Sequence, residues 1–158
     1  MLDRLDRLDS GGYALIDYKT GRTSTVAWLG ERPDDPQLPL YAVDTMDGGA
    51  DVSGVAFVQL RAREVAFKGL TRDEQVLPDV GTLSNAVAKT LSAQAADWPA
   101  LLASWRRVLE QLARDYLAGH AEVDPKRYPK TCEYCELSVL CRVRELMDRG
   151  ALTEVEDA

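Results

Sequence analysis

The chain has 158 residues, enough for one domain with its own core, and its 46% apolar and 28% charged residues are ordinary globular composition. A net charge of −7 excludes a generally basic nucleic-acid binder, whose phosphate affinity rests on Lys and Arg; it leaves room for a protein that reaches nucleic acid through metal ions and a local basic patch. No apolar run approaches the ~18 residues of a membrane span, and the first residues, MLDRLDRLD, carry no signal peptide, so a cytoplasmic protein is expected.

In chain order, residues 2–8 and 13–19 read as two strands joined by DSGG, hairpin chemistry between short strand-like runs. Residues 22–34 read as a loop. DDPQLPLYAVDTM reads as a helix, with Asp34 or Asp35 as its N-cap and Pro36 in the first turn. GGADVSG reads as a loop. VAFVQLRA and EVAFKGL are two further strands, the first apolar on both faces and so central. Residues 70–96 read as a loop followed by a helix near 82–95. The clearest helix covers 97–118: Trp98, Leu101, Leu102, Trp105, Leu109, Leu112 and Tyr116 recur at three- and four-residue spacing, Asp97 can cap it and Gly119 ends it. DPKRYP follows as an extended stretch, then a cysteine segment and a short helix over 137–148. This is an α/β pattern: a small mixed sheet flanked by helices, as one domain over 1–150 with an acidic tail at 151–158.

The stretch DYKTG is unusual for a core strand. Asp17 and Lys19 lie two positions apart and share a face. A partner acid lies across the hairpin. An odd-length turn puts Asp3 on the face of Asp17 and Lys19, and an even-length turn puts Asp6 there; DSGG permits either. Two carboxylates with water and substrate phosphate are what a hard cation such as magnesium takes, and the Tyr18 carbonyl can add an oxygen. Such an ion activates water, and a lysine beside it orients that water or stabilises a phosphoryl transition state. The plainer reading is a surface hairpin with solvated charges.

Cys132, Cys135 and Cys141 are the chain's three cysteines, clustered in CEYCELSVLC. The odd count and tight spacing point to a metal-type arrangement rather than a disulfide framework. His120 makes H-x11-C-x2-C-x5-C, a conceivable zinc set, but its place after Gly119, at a helix end where a cation near the carbonyls is common, is the preferred reading. Arg106, Arg107 and Arg114 read as a solvated face balanced by Glu110 and Asp115. Lys126, Arg127 and Lys130 lie close to the cysteine segment.

Taken together, LDRLDRLDSGGYALIDYKTG, QLPLY and DPKRYPKTCEYCELSVLCR resemble, in order over residues 2–142, the PD-(D/E)xK nucleases of the RecB/AddB type. The resemblance implies a restriction-endonuclease-like fold and a metal-dependent DNA exonuclease of repair or recombination, partnered by DNA and by a helicase domain or subunit. It assigns Asp3 and Asp17 to Mg2+ or Mn2+, Lys19 to catalysis, and Gln37 and Tyr41, four apart on one helix face, to the substrate side of the site. It matches Cys132, Cys135 and Cys141 to three ligands of a [4Fe–4S] cluster. The family's fourth cysteine, and an upstream acid or histidine that completes its metal site, are absent from this chain, which therefore reads as an N-terminally truncated fragment. The alternative is a non-cleaving DNA-binding or structural module that keeps the nuclease fold.

Overall fold

The computed structural model describes residues 2–62, 64–83 and 95–150. Four strands form one sheet in the order β1-β2-β3-β4: β1 (Arg4–Arg7), β2 (Tyr13–Lys19), β3 (Val52–Arg61) and β4 (Glu64–Thr71). β1 and β4 run antiparallel to their neighbours, while β2 and β3 pair in parallel through the crossover that carries α1 (Gln37–Asp47), giving a mixed sheet. β3 is central and buried from Val52 to Gln59, as expected of a strand apolar on both faces. It begins at Val52, so the expected GGADVSG loop is shorter by its last residues.

Alternation sorts the side chains onto two faces. Leu15, Val55, Phe57 and Leu70 share a core with Leu38 and Ala42 of α1 and with Trp98, Leu101, Leu102 and Trp105 of α2 (Trp98–Leu117). Ala14, Ile16, Ala56 and Val58 pack on the other face with Leu77 and Val80. α2 starts as expected, with Asp97 Oδ1 accepting from Ala100 N at 2.8 Å, and Trp98 Nε1 donates to the Val52 carbonyl at 2.8 Å. Gly119 at φ +78° follows its end.

Several expectations are corrected. Residues 22–34 contain a 3-10 turn (Thr25–Trp28) whose Ser24 side chain caps Val26 N, and Trp28 and Leu29 are buried. Trp28 packs on Phe57 at 4.9 Å and on Trp105 at 6.2 Å; tertiary aromatic packing, not local periodicity, fixes this segment. The N-cap position of α1 is Pro36, with no side-chain cap bond; Asp35 Oδ1 instead accepts from Gln37 N at 3.4 Å. The apolar stripe of α2 does not stay covered: Tyr116 and Leu117 are each 82% exposed. The expected helix over 137–148 is two short helices, α3 (Ser138–Cys141) and α4 (Val143–Asp148), broken where Arg142 adopts a left-handed φ of +55°. Most of the expected 82–95 helix and the acidic tail lie outside the described residues. Backbone contacts divide the chain into two compact units, 1–114 and 115–158. Among the described residues no helix is long and apolar enough to cross a membrane.

Candidate active site

The parity of the hairpin is settled by its turn. Arg7 pairs with Tyr13, which leaves five connecting residues, Leu8 to Gly12. The turn is therefore odd. Arg4 opposes Ile16, and one more step along the ladder sets Asp3 opposite Asp17. Asp3 Oδ2 accepts from Tyr18 N at 3.0 Å. Asp6 stands opposite Ala14, on the other face, where it pairs with Arg4 at 2.7 Å. The Tyr18 side chain belongs to that other face too, its hydroxyl 3.2 Å from Arg4 Nη1.

β2 leaves the core one residue pair at a time. Leu15 is fully buried; Asp17, next on the same face, is 2% exposed; Lys19 emerges at the strand's end. Asp17 Oδ2 lies 2.8 Å from Lys19 Nζ. A carboxylate this deep is tolerated because an ammonium stands beside it. The contact with Asp17 raises the Lys19 pKa; burial opposes that, and the charges of Asp17, Asp35 and Asp3 add to it. Lys19 is thus a firm cation at neutral pH. Nζ also donates to Gln37 Oε1 at 2.9 Å, at the first residue of α1, and sits 5.7 Å over the Phe57 ring. Tyr41, one turn further along α1, is half-buried against the core.

The structure thus brings Asp3, Asp17, Lys19 and Gln37 together at one end of the sheet, with Tyr41 next along the helix. β3 adds two residues that sequence reasoning did not single out. Phe57 opposes Asp17, and Gln59, 5% exposed, opposes Lys19 in the parallel register. The signal for Gln59 was a lone amide inside the apolar run VAFVQL.

The cysteines lie in the 115–158 unit. Cys132 and Cys141 are half-buried and Cys135 exposed, all as free thiols. Burial first, then the neighbouring Cys135 and Cys141, push the Cys132 thiol pKa up. His120 Nδ1 stands 3.4 Å from Asp115. Among the described residues no group of three or more His, Cys, Asp or Glu is placed to hold a metal ion. The helix arginines are held by acids: Arg106 by Asp47 of α1, at 3.1 Å through Nη1, and Arg114 by Glu110 at 3.6 Å.

The family model of the PD-(D/E)XK nuclease superfamily matches residues 1–142. No curated protein and no solved structure matches the chain. Proteins of that superfamily are generally nucleases acting on DNA, and they typically use Mg2+ or Mn2+. The residues present fit such an ion. Asp17 Oδ2 is buried and receives no well-aligned hydrogen bond despite its ion pair, which leaves lone pairs for a cation. Two carboxylates suffice for magnesium, which keeps waters and substrate phosphate as its other ligands. The small mixed sheet with flanking helices is a restriction-endonuclease-like α/β fold.

Proposed function

We propose, from the premise that this chain belongs to the PD-(D/E)XK nuclease superfamily, that it hydrolyses phosphodiester bonds of DNA at the Asp3–Asp17–Lys19–Gln37 cluster. The observation that carries this reading is the buried Asp17 carboxylate, set between Asp3 across the hairpin and the Lys19 ammonium on its own face. Asp3 and Asp17 hold Mg2+ or Mn2+. The Tyr18 carbonyl is a third oxygen: a strand residue's N–H and C=O point the same way, and the Tyr18 N–H is directed at Asp3. The ion, when bound, supplies an activated water and offsets phosphate charge.

Lys19, protonated, orients the attacking water and stabilises the charge that develops on the phosphoryl oxygens. Gln37 accepts from Lys19 and so fixes where the ammonium points. Tyr41 lines the same helix face and meets substrate.

The finer reading rests on the quoted motifs DYKTG, QLPLY and C-x2-C-x5-C. It is a RecB/AddB-type exonuclease, cytoplasmic, working in repair or recombination with a helicase domain or subunit, and its nuclease domain spans 1–150. Cys132, Cys135 and Cys141 would supply three ligands of a [4Fe–4S] cluster. Closing such a cluster draws three thiolates onto one inorganic core, so it requires the cysteine segment to rearrange from the free-thiol geometry.

Calorimetric titration of Mn2+ into the chain and into Asp17→Ala, followed by DNA digestion, tests the site. The expected result is metal binding lost in the variant and cleavage reduced on the order of 10²–10³-fold. Metal binding without cleavage by the unaltered chain would favour the non-cleaving module. An Asp17→Ala variant that binds Mn2+ as the parent does would remove the carboxylate assignment.

A further inference from the structure

We propose that Gln59 is a phosphate-binding residue of this site, donating its amide N–H2 to a non-bridging oxygen of the DNA strand beside Lys19. The inference deepens the nuclease reading and rests on it. Gln59 sits in the parallel register directly opposite Lys19, so both side chains leave the same face of the sheet. It is 95% buried by the 5% that stays exposed, an unusual place for an amide at the end of an apolar strand. Its oxygen is committed: Thr23, four residues beyond Lys19, donates its hydroxyl to Gln59 Oε1 at 3.3 Å. That bond turns the amide so that the nitrogen faces away from Thr23. Among the described residues, the hydrogen bond seen at this side chain is the one its oxygen accepts from Thr23.

The neighbouring acceptor is committed as well, since Gln37 Oε1 takes a proton from Lys19 Nζ at 2.9 Å. Each amide oxygen at this end of the sheet thus already accepts one donor, and beside the carboxylates left for the cation, Lys19 and Gln59 still offer N–H groups. Lys19 retains an N–H beyond those directed at Asp17 and Gln37, because an ammonium carries three. Gln59 retains two. N–H groups that leave one face side by side are satisfied by a group with several acceptor oxygens and negative charge, and a phosphodiester offers both. Gln59 carries no charge, so it can bind phosphate next to the Lys19–Asp17 pair without disturbing that pair.

The test uses Gln59→Met, which keeps the length and burial of the side chain but removes the donors, and Thr23→Val, which keeps Gln59 but removes its anchor. Affinity for a short DNA duplex is read by fluorescence anisotropy with Ca2+ in place of Mg2+, across a series of salt concentrations. Mn2+ affinity and urea unfolding are measured in parallel. The expected result is about 10-fold weaker DNA binding for Gln59→Met and a smaller loss for Thr23→Val. Mn2+ affinity and the unfolding midpoint should stay unchanged, and so should the salt slope, because no charge was removed. Wild-type DNA affinity in a folded Gln59→Met, or a loss of Mn2+ affinity in step with DNA affinity, would overturn the assignment. A parent chain that binds neither Mn2+ nor DNA would overturn the nuclease reading itself, and the inference with it.

Discussion

Lys19 Nζ stands 2.8 Å from an almost wholly buried carboxylate and 2.9 Å from an amide oxygen. Its raised pKa makes the protonated form the folded form. A group whose folded pKa exceeds its unfolded value contributes stability that is fully present below the unfolded value, here its ordinary 10.5, and is lost as pH rises through the folded one. Lys19→Met removes that contribution and strands Asp17 in the core. A fully buried pair broken in this way costs about 3–5 kcal/mol. The Lys19 side chain is 31% exposed, so water shares the burden and a loss of about 1–3 kcal/mol is expected. Urea unfolding of parent and variant should show this gap constant across neutral pH and shrinking above the ordinary lysine value. A gap that is independent of pH through the alkaline range would mean that the pair contributes packing rather than charge.

At the scale of elements, the site depends on the registers of three strands. β4 approaches β3 closely at Gly69, opposite Ala56. A Cβ there would stand 2.4 Å from the Val55 carbonyl oxygen and 2.6 Å from Ala56 Cβ, so the strand itself has to shift. Gly69→Ala should lower stability by about 1–3 kcal/mol, read as a lower urea midpoint, while Mn2+ affinity persists because Asp3 and Asp17 belong to β1, β2 and the residues beside them. An unchanged midpoint would show that β4 yields without cost. Much of this layout is legible in the sequence. Alternation marks the strands, three-and-four spacing marks α2, and the D-x-K spacing puts Asp17 and Lys19 on one face. Hairpin parity is not legible, because apolar Leu8 joins the turn and makes its length odd. Trp28 is hidden in the same sense: it is placed by Phe57 and Trp105, which are distant in sequence. Gln59 shows in the sequence only as a lone amide, and its place is not legible for a third reason: only the β2–β3 register sets it beside Lys19. The break at Arg142 has no glycine to announce it.

At the scale of the whole molecule, the two compact units divide the chemistry. Asp3, Asp17, Lys19 and Gln37 lie in 1–114, as do all three tryptophans, Trp28, Trp98 and Trp105; the cysteines lie in 115–158. Tryptophan emission therefore reports on the unit that carries the carboxylates. Ala118 to Glu122 are exposed, and residues 120–125 have no regular secondary structure. Exposed irregular backbone is where proteases cut first. Limited proteinase K digestion should cut first between residues 118 and 125. The larger product should keep the blue-shifted emission of buried tryptophan and the Mn2+ affinity of the uncut chain. That outcome is expected because the aromatic row from Phe57 through Trp28 and Trp105 to Trp98 lies within the larger product, as does the hairpin. If the cut instead releases a product with solvent-exposed tryptophan and no metal affinity, the 115–158 unit is required for the fold. The chain would then unfold as one domain over 1–150, and loss of the cysteine segment would be felt at Asp17 as a loss of structure rather than of chemistry.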